Sequence, residues 1–198
     1  MWAAERGCGG VVKLLLERKD VNSDHIDAGG GRTPLSIAAQ NGREEAVKML
    51  LEREDVNPNY ADEYDQTPLA WAVSGGHEGV VKALLARGDV NPDQPDTRYD
   101  RTPLALAAER GCGVIVKLLL ERKDVNPDHI DAGGGRTPLS IAAQNGREEV
   151  VKMLLEREDV NPNYADGYAR TPLEWAALGG HDGVVKMLLE LRDIHTPH

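Results

Sequence analysis

Several segments of this sequence carry residue types that could bind a metal ion. The segments that begin at Asp20, Asp89 and Asp124 read DVNSD or DVNPD, and they resemble the oxygen-rich start of a calcium-binding loop. Such a loop needs Gly at its sixth position and Glu at its twelfth, whereas the first copy has His25 and Gly31 there. We therefore interpret these segments as structural turns, in which the Asn side chain binds its own backbone.

Glycine and histidine patterns could also do chemistry. Triple-glycine stretches at 29–31 and 133–135 resemble phosphate-binding loops, but no strand precedes them and no Lys followed by Ser or Thr comes after them. We expect flexible hairpin tips instead. His77 and His181 follow a turn glycine, where a local hydrogen bond is the simpler role. No Cys and His cluster has zinc spacing, so we predict no metal site, no cofactor and no catalytic residue.

The elements that position these residues come in repeated units. The triplet Thr-Pro-Leu recurs at intervals of 34, 35, 35 and 34 residues, beginning at Thr33, Thr67, Thr102, Thr137 and Thr171. A Gly follows each Thr after nine residues, and a Lys follows it after fifteen. Because a catalytic site needs its unusual residues only once, a period of this length indicates a structural building unit.

Each unit predicts two helices. Thr is a favourable N-cap, and Pro is well placed at the first helical position, where its missing N–H costs nothing. The Gly supplies the backbone freedom to end the first helix, and a segment such as EEVVKMLLER has apolar residues at helical spacing. One unit is too short to bury a core alone, so neighbouring units must cover it by stacking.

The Thr-Pro-Leu triplet, the Ala-Ala pair, the Gly turn, VVKLLL and DVN together resemble the ankyrin repeat, over essentially the whole chain. The repeat sequence is similar to that of fungal ankyrin arrays with repeats of 34–35 residues. The sequence departs from the family where His usually follows the triplet, since Ser36, Ala70, Ala105, Ser140 and Glu174 stand there. The resemblance implies an all-α solenoid of stacked helix-turn-helix units with long hairpin loops. We expect one array over 1–198, with repeats at about 1–31 (truncated), 32–65, 66–100, 101–135, 136–169 and 170–198.

A longer period of 104 residues is superimposed on the repeats. The segment GGGRTPLSIAAQNGREE occurs at 29–45 and again at 133–149. Residues 24–60 and 128–164 differ only at Ala46 and Val150. This pattern indicates a recent duplication of three repeats, or a designed array.

Composition limits the partners and the location. The formal net charge of −10 argues against nucleic acid, because phosphate binding needs a basic surface. No apolar run approaches membrane-spanning length. Cys8 and Cys112 lie three repeats apart, beyond disulfide reach, which favours a reducing cytoplasmic location, with the nucleus as the alternative. The first repeat begins inside its first helix and the last keeps an interior pattern, so we expect uncapped ends and self-association.

The ankyrin resemblance implies that a concave surface of hairpin tips and first helices binds a partner protein. The residues we expect there include the Tyr and Arg types that dominate interface hot spots: Tyr64, Arg98, Tyr99, Arg101, Glu109, Arg110, Tyr168 and Arg170. We predict a non-enzymatic protein–protein interaction scaffold centred on the fourth repeat. Two alternatives stay open: a ligand-sensing or autoinhibitory array of a larger signalling NTPase, and a designed or excised array with no native partner.

Overall fold

The computed structural model describes residues 1–18 and 21–195, and residues 191–195 by their backbone alone. Asp20, which opens the first DVN segment, therefore lies outside the described residues, as does the tail after 195. The described residues form helices and no strands, which confirms the all-α prediction. In chain order the helices are α1 (Trp2–Arg6), α2 (Gly9–Leu16), α3 (Pro34–Gln40), α4 (Glu44–Leu51), α5 (Pro68–Gly75), α6 (Glu78–Leu85), α7 (Pro103–Arg110), α8 (Gly113–Leu120), α9 (Pro138–Gln144), α10 (Glu148–Leu155), α11 (Pro172–Gly179) and α12 (Asp182–His195).

Every Thr-Pro-Leu triplet starts a helix. In α5, the Thr67 hydroxyl accepts a hydrogen bond from the backbone N–H of Ala70 at 3.2 Å, and Pro68 occupies the first helical position. The same helix ends at Gly76, whose φ of 69° lies in the left-handed region that glycine adopts without steric cost. The capping chemistry expected from the sequence therefore forms, and it fixes where each first helix begins.

The chain divides into two compact units, Met1–Thr97 and Arg98–His198. In the first unit, α3 packs between α1 and α5, while α4 packs between α2 and α6. In the second unit, α9 packs between α7 and α11, while α10 packs between α8 and α12. Within each unit, first helices thus pack on first helices and second helices on second helices, as expected for stacked repeats. The repeat boundaries given above stay a prediction.

The core of each unit is periodic. The Leu of the triplet is fully buried in both units, at Leu35, Leu69, Leu104 and Leu139. Apolar residues of the second helices, such as Val47 and Leu154, are fully buried as well. Burying a Leu side chain contributes about 2 kcal/mol, so most of each repeat's stability comes from this recurring position and its neighbours. In the described part of the chain, no helix is long and apolar enough to cross a membrane.

Candidate partner-binding surface

A buried carboxylate organises the hairpin loop in front of α11. Asp166 is nearly inaccessible to solvent, and its Oδ1 accepts hydrogen bonds from the backbone N–H groups of Tyr168 and Arg170, both at 2.9 Å. Its Oδ2 accepts from the indole Nε1–H of Trp175 at 3.0 Å. One side chain therefore ties both arms of the hairpin tip to the first helix, and it holds the tip in one conformation.

The corresponding loop of the first unit is built in the same way. Asp62 accepts from the backbone N–H groups of Tyr64 and Gln66 at 2.9 Å each, and from Trp71 Nε1–H at 3.0 Å. In the sequence this Asp is a fixed point of the loop, five residues after Asn57, and the Trp shares its repeat position with Ile37, which is typical of packing between repeats. The anchoring role was missed, although an Asp nine residues before each of these Trp residues was a readable signal.

The residue two positions before each Thr turns the hairpin through a left-handed conformation. The φ angles are 55° at Asp65, 54° at Asp100 and 59° at Ala169, and the two glycine copies, Gly31 and Gly135, have 69° and 76°. The residue before it then projects outward where it is Tyr. Tyr64, Tyr99 and Tyr168 are 62%, 42% and 69% exposed. The three Tyr rings that share one loop position in the sequence are thus all on the surface.

The triple-glycine stretch lets neighbouring hairpins approach closely. The backbone N–H of Gly167 donates to the carbonyl of Gly134 at 2.8 Å. A Cβ atom added to Gly134 would lie 3.3 Å from the Tyr168 ring. The glycines therefore serve contact between adjacent hairpins, and Tyr168 lies against one of them.

The tip before α7 carries two of the arginines expected at a binding surface. The guanidinium carbons of Arg98 and Arg101 lie 5.2 Å and 5.0 Å from the centre of the Tyr99 ring, within the range of cation–π attraction. Arg98 is exposed and forms no ion pair with a described residue. The ring and its two cations form a compact patch of the types that recur at interface hot spots.

Arg101 is held by its own protein. Its Nη1 donates to Glu109 Oε2 at 2.8 Å, its Nε lies 3.7 Å from Asp131 Oδ2, and its side chain is only 15% exposed. Glu109 is therefore neutralised by its ion pair with Arg101. Arg110, by contrast, is exposed in the last turn of α7. The seven residues expected in the second unit are thus not equivalent: some support the surface and others face solvent.

Arg170 and Trp175 form a second cationic and aromatic group, in front of α11. The Arg170 guanidinium lies 4.8 Å from the Trp175 ring centre and 5.7 Å from that of Tyr168. Arg136 lies 5.9 Å from the Trp175 ring, but it is paired with Asp131 at 2.8 Å and bonded to Gln144 at 2.7 Å. Arg136, which shares its place before Thr with Arg101 and Arg170, and Trp175, which occupies a packing position of the repeat, therefore lie beside the same candidate residues.

The carboxyl group four residues after Arg170 is occupied by a helix cap. Glu174 accepts hydrogen bonds from the backbone N–H and hydroxyl of Thr171, at 2.6 Å and 2.9 Å. These bonds lower the pKa of Glu174 below its ordinary value, the backbone bond most strongly. The carboxylate is therefore ionised at neutral pH and directed at the cap, and Arg170 forms no ion pair with a described residue.

The histidine candidates have a structural role. His77 donates Nε2–H to the carbonyl of Gln40, and His181 donates to that of Gln144, both at 3.0 Å. The expected hydrogen bonds form, but they are not local, because each reaches 37 residues back to the end of the preceding first helix. Among the described residues, no group of three or more His, Cys, Asp or Glu side chains could hold a metal ion. The surface carries exposed aromatic rings and guanidinium groups on hairpins that are anchored by buried carboxylates.

Helix pairs capped by Thr-Pro and joined by hairpins anchored on a buried Asp define a protein of stacked helix-turn-helix repeats. A family model described as ankyrin repeats in three copies matches residues 1–96, 55–131, 88–166 and 104–197. The chain belongs to the ankyrin-repeat family. Ankyrin repeats are generally protein–protein interaction modules, and their fold is typically non-enzymatic.

A solved structure supports the same assignment. The chain is similar to an ankyrin repeat domain from Acinetobacter baumannii AYE, with 29% sequence identity and a TM-score of 0.86. The match covers 96% of this chain and 95% of that chain. No curated protein matches the sequence.

Proposed function

We propose that this chain is a non-enzymatic, cytoplasmic scaffold that binds a partner protein through the arginine–tyrosine surface of its second unit. This surface is defined by Arg98, Tyr99, Arg101, Glu109, Arg110, Tyr168 and Arg170. The observation that carries the proposal is the tip before α7, where two guanidinium groups lie over one exposed Tyr ring. Tyr64, the remaining candidate, offers a separate exposed ring in the first unit.

The residue types suit this role energetically. Tyr supplies a large contact area with few rotatable bonds, so ordering it on binding costs little entropy. The hairpins are already fixed by buried carboxylates such as Asp166, which lowers the cost of association further. The partner then meets a surface that needs little rearrangement.

The arginines divide between contact and support. Arg98 and Arg110 are exposed and form no ion pair with a described residue, so each can pair with acidic or carbonyl groups of a partner. Arg101 is bound to Glu109, and its guanidinium lies 5.0 Å from the centre of the Tyr99 ring, where it supports the ring. We therefore expect substitutions at Arg98 to act on binding, and substitutions at Arg101 to act on stability as well.

The test uses the full chain as bait for partner proteins, followed by affinity measurement with each captured protein. Arg98→Glu and Tyr99→Ala should each weaken a genuine partner by about tenfold or more, as for hot-spot residues. Lys152→Glu is the matched control, because it reverses an exposed charge on a second helix, away from the hairpin tips. A partner whose affinity responds to neither Arg98→Glu nor Tyr99→Ala would refute the assignment of the surface.

Exposed apolar side chains support a weaker proposal, self-association. Trp2, Leu14 and Leu178 are 60%, 65% and 66% exposed, and apolar surface of this kind favours contact between copies. Sedimentation velocity at rising concentration tests it, and a strict monomer throughout would count against it. No described residue favours the alternatives, a sensing or autoinhibitory array of a signalling NTPase or an array with no native partner, over the scaffold.

A further inference from the structure

The two copies of the duplicated block differ in sequence at one hairpin tip, which precedes α5 in the first copy and α11 in the second. Residues 24–60 and 128–164 differ at one position, and the tips that follow read EYDQ at 63–66 and GYAR at 167–170. We name these segments the EYDQ tip and the GYAR tip. Three of the four positions differ: Glu63 corresponds to Gly167, Asp65 to Ala169 and Gln66 to Arg170. The formal charge is therefore −2 in the EYDQ tip and +1 in the GYAR tip.

The two tips share one frame. The anchoring bonds of Asp62 and Asp166 have the same lengths, 2.9, 2.9 and 3.0 Å, to corresponding atoms. The left-handed residue has φ of 55° at Asp65 and 59° at Ala169. The substitutions therefore leave the backbone in place and change only the chemistry it displays.

The GYAR tip displays a cation on an aromatic base. Arg170 lies 4.8 Å from the Trp175 ring and 5.7 Å from the Tyr168 ring, and it forms no ion pair with a described residue. Arg136 also lies 5.9 Å from the centre of the indole, although Asp131 neutralises its charge at 2.8 Å. An anionic group placed at Arg170 would thus meet a guanidinium that is oriented and not ion-paired, while the ionised Glu174 nearby is bound to the helix cap at Thr171.

The EYDQ tip offers the opposite chemistry. Gln66 replaces the arginine, and the exposed Glu63 lies beside Gly31 of the neighbouring hairpin. The nearest arginine of that hairpin, Arg32, is neutralised by Asp27 at 2.9 Å and bonded to Gln40 at 3.1 Å. A carboxylate that approached this tip would be repelled by Glu63 and Asp65, and neither Gln66 nor the paired Arg32 offers it an available guanidinium.

We propose that the GYAR tip and the adjoining face of α11 bind an acidic peptide segment of the partner, and that the EYDQ tip rejects it. A partner carboxylate pairs with Arg170, while apolar atoms beside it lie on Tyr168 and Leu178, both more than half exposed. This inference rests on the proposed function and names the chemistry of its partner. Duplication has then produced two tips with different partners, rather than two copies of one binding patch.

Each tip provides the control for the other. In one variant the GYAR tip is converted to the EYDQ sequence by Gly167→Glu, Ala169→Asp and Arg170→Gln. In the reciprocal variant the EYDQ tip is converted by Glu63→Gly, Asp65→Ala and Gln66→Arg, and Ser74→Leu supplies the counterpart of Leu178. Because a Cβ atom at position 167 would lie 3.1 Å from the Gly134 carbonyl oxygen, the single variant Arg170→Gln is included as a change that leaves the backbone untouched. Circular dichroism establishes that each variant keeps its helix content.

The probe is a phage-displayed library of random dodecapeptides, selected on the full wild-type chain. We expect enrichment of peptides rich in Asp and Glu, and one binding site per chain when such a peptide is titrated calorimetrically. Arg170→Gln and the triple GYAR variant should weaken binding by about tenfold or more, as expected when a charged hydrogen-bond partner is lost. The reciprocal variant should bind two peptides per chain.

The remaining outcomes separate this inference from the proposed function. Selected peptides that are neutral or basic, yet depend on Arg98 and Tyr99, would overturn the acidic preference and leave the proposed function standing. Acidic peptides that are insensitive to Arg170→Gln, or a reciprocal variant that gains no second site, would overturn the role of the three substituted positions. If no selected peptide depended on any residue of the arginine–tyrosine surface, both proposals would fall together.

Discussion

Loss of one carboxylate should cost far more stability in the second unit than loss of its sequence twin in the first. Asp27 and Asp131 open identical nineteen-residue segments, DAGGGRTPLSIAAQNGREE, at 27–45 and 131–149. Each accepts the backbone N–H of its own arginine, Arg32 or Arg136, at 2.9 Å and 3.0 Å, and each pairs with that guanidinium at 2.9 Å and 2.8 Å. The two sites share these contacts, although Arg32 also donates Nε–H to Asp27 at 3.2 Å, whereas the buried Nε of Arg136 has no hydrogen-bond partner.

Burial separates them. The Asp131 side chain is 1% exposed and Arg136 is 15% exposed, against 20% for Asp27 and 30% for Arg32. Arg101 also directs its Nε toward Asp131 at 3.7 Å. Removing one partner of a buried pair costs about 3–5 kcal/mol, because the remaining charge is left uncompensated in a poorly solvated site. Since Asn keeps the acceptor for the backbone N–H, we place Asp131→Asn at the lower end, at about 3 kcal/mol.

Substitution of the more exposed carboxylate, Asp27, should cost less stability. Solvent screens the Arg32–Asp27 pair, so Asp27→Asn should destabilise by about 1 kcal/mol. With an m-value of about 2–3 kcal/mol/M, the two variants should differ by roughly 1 M in their urea midpoints. Equilibrium urea unfolding, followed by far-ultraviolet circular dichroism, measures both midpoints and shows whether m is unchanged.

A second pair of corresponding residues serves as the control for the effect of position in the chain. Thr33 and Thr137 are both fully buried N-caps, and each accepts a backbone N–H at 3.2 Å. Thr33→Ala and Thr137→Ala should therefore lower the free energy of unfolding by the same amount, about 1 kcal/mol each, unless one end of the chain unfolds first. Equal losses for Asp27→Asn and Asp131→Asn, alongside equal losses for the Thr variants, would refute the view that burial sets the cost.

Three further outcomes are expected from the same unfolding assay. Ala169→Gly should stabilise the protein by about 1 kcal/mol, because Ala is strained at a φ of 59°. As the control, Ala177→Gly on the exposed face of α11 should destabilise the protein by a similar amount. If both variants lost stability, the strain at Ala169 would be contradicted. The hydrogen bond from Arg157 holds the pKa of Asp159 below its ordinary 3.8, so the stability that this pair contributes is present above that pH and lost as the pH falls toward the lowered value. The difference between wild type and Asp159→Asn should accordingly vanish in acid, and a difference that grew in acid would reverse the sign of the linkage. Leu104→Ala should cost about 2–5 kcal/mol, because the side chain is fully buried, and a loss below about 1 kcal/mol would exclude it from the core.

Helix capping and the periodic core could be foreseen because both depend on neighbours in sequence. Thr67 and Ala70 stand three residues apart, so their hydrogen bond forms wherever a helix starts at Pro68. The Leu of each triplet recurs with the repeat, and its complete burial at Leu69 and Leu139 follows from stacking alone. The same reasoning identified the exposed Tyr position, since all three Tyr residues share one place in the hairpin.

The anchoring of the hairpins could not be foreseen in the same way. Trp175 has an apolar ring that fits the periodic packing pattern, so the only signal of a partner for its N–H is the recurring nine-residue distance to Asp166. That hydrogen bond exists because the loop folds back over the helix and places a carboxylate at the edge of the indole. The bond depends on the path of the loop, which residue periodicity does not encode.

The arginines before the triplets show what the repeat pattern does not predict, namely which of them are neutralised by an ion pair. Arg32, Arg101, Arg136 and Arg170 all stand one residue before Thr, and their types and spacing make them equivalent candidates for a partner. In the folded chain the first three are paired with Asp27, Glu109 and Asp131, whereas Arg170 lies over aromatic rings without an ion pair among the described residues. Local propensity and periodicity establish that these side chains reach the hairpin surface. Whether a guanidinium is neutralised by its own protein depends on which carboxylate folding brings within about 4 Å of it, and on how far that pair is removed from water.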